Sequence, residues 1–248
     1  MEFLKASYTE IWVPSAVVPL IRFADRVRPI SSTGLDLLAL PGVEPPSGLV
    51  EKLRGFDSIV SWYGANREEF RAALDAVFQP ALPGADNREH CADFLAKQVG
   101  APIPAIPRLN TSPVDRLEYG VIHPFSGGPR KNWPLDRYRE LADRLPFPVR
   151  WCAGPEETLA EAVRIDDLWE LARWIAGARV YIGNDSGIMH LAAATGVPVV
   201  AIFGPTEPAV WAPRGDNVQV VHGKLEDISV QRICDKIGWT CRPIGDLS

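Results

Sequence analysis

A polar turn made of Asn184, Asp185, Ser186 and Gly187 follows a strand-like apolar run that ends at Ile182. Asn, Asp and Ser often cap helices, because a short side-chain oxygen accepts a backbone N–H that the first helical turn leaves unpaired. A helix N-terminus also carries a partial positive charge and free N–H groups, which suit phosphate. The glycine would let a ligand approach the backbone closely. The turn therefore predicts an anion site, although many α/β turns share this pattern.

A second candidate for anion binding is Lys131, which follows the run SGGPR and precedes a helix start at Pro134. A lysine is most often a solvated surface residue. The position of this one, beside a glycine-rich loop, favours a cation on a diphosphate, where a point charge stabilises a leaving group. Ser126, Gly127 and Gly128 would add hydroxyl and backbone donors beside it.

Two further candidates, Glu156 and His190, have equally good structural interpretations. An acidic residue at a helix start interacts favourably with the helix dipole. This effect would explain Glu156 without any role in ligand binding. A lone histidine on an apolar helix, as at His190, is more often a satisfied core residue than a ligand. A metal site is disfavoured, because Asp185 and His190 lack a third ligand at a familiar spacing. Ser186 does not lie in the G-x-S-x-G pattern of a nucleophile elbow.

The second half of the chain alternates strand-like and helix-like runs, which predicts a parallel sheet covered on both faces. Ligands of such sheets bind beyond the carboxyl ends of the strands. The loops there are 124–131, 154–157 and 183–187. The predicted strands are 119–123, 149–153, 180–182, 197–203 and 217–222, and the predicted helices are 134–145, 156–163, 167–177, 188–195 and 228–237.

The first half has a weaker pattern of the same kind. Four prolines between residues 101 and 114 disfavour both helix and central strand, so they mark the best domain boundary. We expect an N-terminal domain over 1–112 and a C-terminal domain over 118–248. The predicted strands of the first are 11–13, 27–30 and 56–62, and its predicted helices are 17–23, 67–78 and 89–99.

The composition is that of an ordinary globular protein, with 248 residues, 46% of them hydrophobic and 23% charged. That length allows one large or two small domains. The net charge of −5 disfavours a broad nucleic-acid-binding surface, which needs a basic stripe. The apolar segment 11–21 is too short to span a bilayer and contains two prolines, and no basic region precedes it as in a signal peptide.

The four cysteines indicate neither a zinc site nor a redox motif, because no C-x-x-C pair occurs. We expect Cys152, in an apolar run, to be a core residue. We interpret the chain as cytoplasmic and reduced. The other three cysteines are Cys91, Cys234 and Cys241.

The run GNDSGIMHLAAATGVPVVAIFGPTEPAVWAP, from Gly183 onward, resembles the C-terminal signature of glycosyltransferase family 9, the heptosyltransferases of lipopolysaccharide assembly. Upstream, His123-Pro124 followed by KNWP from Lys131 is similar to that family's HPG…K-x-WP segment. Between them, Gly154-Pro155-Glu156 resembles its G-x-E turn. These three segments occur in the family's order and cover roughly residues 119–236, whereas the first 118 residues match only loosely.

The resemblance implies the GT-B fold, which is two facing Rossmann-like domains with the donor in the second and the acceptor in the first. It implies an inverting, metal-independent transfer from a nucleotide-diphosphate sugar, typically ADP-heptose, which is a substrate and not a cofactor. The acceptor would be lipopolysaccharide or another glycan or lipid-linked molecule, with at most peripheral membrane association. By the same resemblance, the donor site comprises Ser126, Gly127, Lys131, Glu156, Asp185, Ser186, Gly187 and His190.

The resemblance also implies a first strand, a G-D loop and a helix at the start of the N-terminal domain, and the loop aspartate is the family's presumed general base. No such pattern precedes residue 11, so we expect a truncated N-terminal domain and assign no general base. The alternative to an active transferase is therefore an inactive nucleotide-sugar-binding or interaction protein that retains only the donor site. A nucleotide-sugar epimerase is a weaker third interpretation, because no suitable carboxylate set is evident near the sugar.

Overall fold

The computed structural model describes residues 6–111, 117–238 and 241. The chain divides into two compact units, Met1–Ile103 and Pro104–Ser248. The division falls within the proline-rich segment. Among the described residues, no helix combines the length and the apolarity that crossing a membrane requires.

The strands described in the first unit form two separate two-stranded parallel sheets instead of one continuous sheet. Its apolar core is small and collects leucines around the fully buried Phe70. The strands are β1 (Glu10–Val13), β2 (Arg26–Pro29), β3 (Val60–Ser61) and β4 (Val77–Phe78), and the α-helices are α1 (Leu49–Arg54), α2 (Glu68–Ala73) and α3 (Cys91–Gln98).

The helix predicted over residues 67–78 is wrong in its second half. Helix α2 ends at Ala73, because Leu74 has an extended backbone (φ −126°, ψ 121°). The next two apolar residues form β4 instead, and Val77 N–H donates to the Ile59 carbonyl at 2.8 Å. The helix predicted over 17–23 is also replaced, by a 3-10 turn over Ser15–Leu20 that contains Pro19. Long-range strand pairing and proline geometry overrode the local periodicity.

The second unit contains a five-stranded, all-parallel sheet with helices between its strands, as predicted. The strands are β5 (Gly120–His123), β6 (Val149–Trp151), β7 (Tyr181–Asn184), β8 (Val199–Phe203) and β9 (Val218–His222). The helices are α4 (Leu135–Arg144), α5 (Leu168–Ala176), α6 (Gly187–Ala194), α7 (Pro208–Trp211) and α8 (Val230–Ile237).

The strand order β6-β5-β7-β8-β9 is that of a doubly wound sheet, in which the winding direction reverses between β5 and β7. Every residue of β5, β7 and β8 is buried, which explains their near-continuous apolar sequences. Helix α6 ends as predicted, with Gly196 in the left-handed conformation (φ 80°) directly after its C-cap. The sheet therefore has one switch point, at the carboxyl ends of β5 and β7.

The helix predicted over residues 156–163 does not form. The chain leaves β6 in a wide loop and returns so that Val163 forms a parallel bridge with Cys152. The Arg164 guanidinium accounts for the missing helical hydrogen bonds, because it donates to the carbonyls of Glu157, Leu159 and Ala162 at 2.8, 2.9 and 3.2 Å. One side chain thus binds three carbonyls of this loop, and the Leu159 carbonyl also accepts the Ala162 N–H at 3.2 Å.

Cys152 is buried, as predicted, and burial raises the pKa of its thiol to about 12. The expected fully reduced state is contradicted at the end of the chain, where Cys234 on α8 is paired with Cys241 in a disulfide. Gly238, at φ 75°, ends α8 in the left-handed conformation, and the two Cα atoms lie 6.0 Å apart. Cys91 and Cys152 are free.

Candidate functional site

Three loops converge at the switch point of the second sheet. Lys131, after β5, places its Nζ 3.1 Å from the Oδ2 of Asp185, which follows β7. The hydroxyl of Thr206, after β8, donates to the same oxygen at 2.9 Å. The Asp185 side chain is 11% exposed, whereas the Lys131 side chain is 27% exposed. An ammonium group has three N–H donors, so the lysine can still donate outward while it contacts Asp185.

The helix that begins at this point is α6. Ser186 is its N-cap and accepts a hydrogen bond from the Met189 N–H at 3.3 Å. Gly187, its first residue, is exposed, and a Cβ built there would meet no atom within 4 Å. The positive end of the helix is therefore exposed immediately after the Lys131–Asp185 pair, and its binding of an anion stays a prediction.

The loop before Lys131 is held by its own serine. The Ser126 hydroxyl lies 2.9 Å from the Gly128 carbonyl and 2.6 Å from the Asn132 side-chain oxygen. Gly127, between them, is exposed with open space around it. Ser126 thus shapes the loop, and the adjacent glycine offers its backbone to solvent.

Asn184 joins this loop to the end of β7, a role that sequence analysis missed. Its side chain is fully buried and donates to the Pro124 carbonyl at 2.8 Å. Its oxygen accepts from the Trp133 N–H and from the Tyr138 hydroxyl, both at 2.9 Å. Burial raises the pKa of Tyr138 well above its usual value, so the hydroxyl stays protonated and can donate. A polar residue inside a buried strand was the available signal, since such groups need partners.

The other two sequence candidates lie at the surface. His190 is exposed on α6, and Glu156 is exposed in the loop after β6. The adjacent residue, Glu157, is the one that makes contacts: its Oε2 accepts from the Gly154 N–H at 2.6 Å and lies 2.9 Å from Nε2 of His123. The ligand role of Glu156 stays a prediction, and the adjacent Glu157 is the one of the two glutamates with these contacts to neighbouring residues.

This arrangement of a cation, an exposed glycine backbone and a helix N-terminus suits an anionic group. Within the described ranges, no group of three or more His, Cys, Asp or Glu side chains could hold a metal ion. Lys131, Asp185 and the start of α6 all belong to the second unit.

Comparison with known proteins identifies the family of the chain. Residues 107–237 match glycosyltransferase family 9 (heptosyltransferase). The chain is 31% identical over 135 residues to lipopolysaccharide heptosyltransferase 1 of Escherichia coli strain K12, an alignment that spans 48% of this chain and 42% of that protein. The match therefore covers less than half of that curated relative's length.

The same fold occurs in solved structures. The structure of E. coli ADP-heptose lps heptosyltransferase II superposes with a TM-score of 0.64 at 20% identity, over 95% of this chain and 89% of that one. The E. coli heptosyltransferase WaaC with ADP gives a TM-score of 0.57 at 17% identity, over 92% of this chain and 98% of that one. The α/β fold with its parallel sheet is thus the fold of GT-B heptosyltransferases. With the family match covering more than half of the sequence, the chain belongs to glycosyltransferase family 9, the heptosyltransferase family.

Proposed function

We propose that this chain binds a nucleotide-diphosphate sugar of the ADP-heptose type at the carboxyl edge of β5, β7 and β8. The observation that carries the proposal is the 3.1 Å contact between Lys131 and Asp185 beside the open N-terminus of α6. The diphosphate would lie over Gly187 and against the lysine. The carboxylate of Asp185 would accept a hydrogen bond from a sugar hydroxyl.

The proposed reaction is an inverting transfer of the sugar to lipopolysaccharide or another glycan acceptor. The acceptor oxygen attacks the anomeric carbon and loses its proton to a base that we assign to no residue. The bond from that carbon to the diphosphate oxygen breaks, and its electron pair leaves on the nucleoside diphosphate. Lys131 and the α6 N–H groups would stabilise the charge that develops on this leaving group.

The proposal needs no metal ion, because the lysine and the helix supply the positive charge. Ser126 and Gly127 would line the phosphate side of the pocket, while Glu156 and His190 remain candidates at its rim. The partners would be the donor and a glycan or lipid-linked acceptor, without nucleic acid. The reaction would take place in the cytoplasm, with at most peripheral contact to a membrane.

Isothermal titration calorimetry of the purified chain with ADP tests the donor site. We expect binding by the unmodified chain and a loss of about tenfold to a hundredfold in affinity for Lys131→Ala, because a charge-assisted contact to phosphate is removed. Lys236→Ala, at an exposed lysine in the last turn of α8, is the matched control. No binding of ADP or of any other nucleoside diphosphate, or an unchanged Lys131→Ala, would reject the proposal. Release of ADP from ADP-heptose in the presence of acceptor then tests the transfer itself.

A further inference from the structure

A single backbone carbonyl, that of Ile228, accepts two side-chain hydrogen bonds from the segment that follows the Lys131 loop. Ile228 is fully buried and lies in the connection between β9 and α8. The indole Nε1 of Trp133 donates to its oxygen at 3.0 Å, and the Arg137 guanidinium donates to it at 2.6 Å. A carbonyl oxygen has two lone pairs, so it can accept both donors. The Ile228 carbonyl thus fastens the start of α4 to the segment that leads into α8.

Trp133 connects this carbonyl to the loop that carries Lys131. Trp133 is fully buried, and its ring packs edge to face on Tyr138 with the ring centroids 4.8 Å apart. Its backbone N–H donates to the side-chain oxygen of Asn184 at 2.9 Å. Both the backbone and the ring of Trp133 are therefore held in place, and Lys131 lies only two residues before it.

Arg137 contributes a charged donor to the carbonyl from the first turn of α4. Its side chain lines a groove together with the acidic residues Glu226 and Asp227, whose carboxylates favour a positive charge there. A hydrogen bond from a charged donor is stronger than one from a neutral donor. The guanidinium is therefore the stronger of the two donors that hold the Ile228 carbonyl.

From these contacts we propose that Arg137 is a positioning residue of the donor site, acting on Lys131 through the Ile228 carbonyl. The inference rests on the proposed function. A binding group is effective only when neighbouring contacts hold it in the geometry that the ligand requires. Loss of the guanidinium would leave the carbonyl with the indole donor alone and loosen the end of the Lys131 loop. ADP would then bind more weakly, although Arg137 itself need not touch the ligand.

Paired substitutions separate this role from general stability. Arg137→Met keeps an unbranched apolar side chain but removes the donors. Arg173→Met makes the same change at an exposed arginine on α5 and is the matched control. Each substitution is made in the unmodified chain and in the Lys131→Ala variant. ADP affinity and thermal midpoint are measured for each full-length protein.

We expect Arg137→Met to weaken ADP binding about fivefold in the unmodified chain and by less than about twofold in Lys131→Ala. A residue that acts through the lysine loses its effect when the lysine is absent, whereas a merely structural role would weaken binding equally in both backgrounds. Arg173→Met should stay within about twofold in both.

Equal losses from Arg137→Met in the two backgrounds, no loss in either, or an equal loss from Arg173→Met would overturn the inference while the donor site stands. Failure of the unmodified chain to bind ADP would instead reject the proposed function, and this inference with it.

Hydrogen exchange of the unmodified chain, followed by NMR, provides a test that needs no substitution and remains available if Arg137→Met fails to fold. The indole N–H of Trp133 should exchange slowly with solvent, because it is buried and held by the Ile228 carbonyl. Rapid exchange of this N–H, at the rate of an exposed indole, would show that the carbonyl does not hold the segment after the Lys131 loop and would overturn the inference.

Discussion

Lys131 and Asp185 are 54 positions apart in the sequence, and their side chains meet at 3.1 Å where the winding of the sheet reverses. The contact joins the loop after β5 to the start of α6. It also places a negative charge beside the cation that we assign to the diphosphate. In the proposed site, the balance between these two charges would set the affinity for an anion.

Replacement of Asp185 by asparagine should strengthen binding of ADP about threefold, because a carboxylate that repels the diphosphate is removed while an acceptor remains for Thr206. Titrations with ADP at low and high salt measure this effect, and the gain should shrink at high salt. Asp216→Asn, at an exposed aspartate, is the control. Weaker binding of ADP by Asp185→Asn would contradict the assigned position of the diphosphate.

Gly187→Val should weaken ADP binding about tenfold without lowering the thermal midpoint by more than a few degrees. A Cβ at this position meets no protein atom within 4 Å, so the fold tolerates a side chain that a phosphate over the helix start would not. Gly84→Val, at another glycine with open space, is the control for nonspecific effects. Unchanged affinity in Gly187→Val would show that the ligand does not approach this backbone.

Asn184→Ala should destabilise the chain by about 3 kcal/mol, because three buried groups lose their partner: the Pro124 carbonyl, the Trp133 N–H and the Tyr138 hydroxyl. Urea unfolding followed by tryptophan fluorescence gives the free energy of unfolding. Asn217→Ala, at an exposed residue with a single 3.5 Å contact, should change it by less than about 0.5 kcal/mol. Equal effects of the two substitutions would refute the role of Asn184.

Glu10 should make the free energy of unfolding of the chain depend on pH in the acidic range. Burial alone would raise the pKa of this carboxyl, but hydrogen bonds from Lys52, Trp12 and Tyr8 and the charge of Lys52 outweigh it and lower the pKa from 4.5 to about 2. Because the folded pKa lies below the unfolded one, the stabilisation is complete above pH 4.5 and is lost as the pH falls toward 2.

Glu10→Gln should therefore cost about 2 kcal/mol at pH 7, and this difference from the unmodified chain should shrink between pH 4.5 and 2. Urea unfolding of both proteins across that range measures it. The Lys52 Nζ and Arg28 Nε contacts at 2.6 and 2.7 Å would lose their charged acceptor in the variant. A difference that does not change with pH would mean that the charge of Glu10 does not stabilise the fold.

Local patterns were sufficient where a segment is both regular and buried. The apolar runs of β5, β7 and β8, an aspartate cap at residue 166 or 167 and Gly196 after α6 follow from residue type. The structure has each of them, with Asp167 as the cap of α5. Local patterns were insufficient where a residue distant in the sequence determines the conformation of a segment. Val77 continues a helical pattern in the sequence but pairs with Val60 in a sheet. Residues 156–163 also have a helical pattern, but no helix forms there and Arg164 donates to carbonyls of this segment.

The sequence by itself determined the family, the parallel α/β sheet and the order of strand, polar turn and helix around Asp185, because these depend on residue type and order along short segments. The tertiary structure alone decided which side chains meet there. It paired Lys131 with Asp185, directed Glu157 inward instead of Glu156, and gave Asn184 three partners. Such contacts join residues tens of positions apart, and only the strand order of the folded sheet brings them within hydrogen-bonding distance.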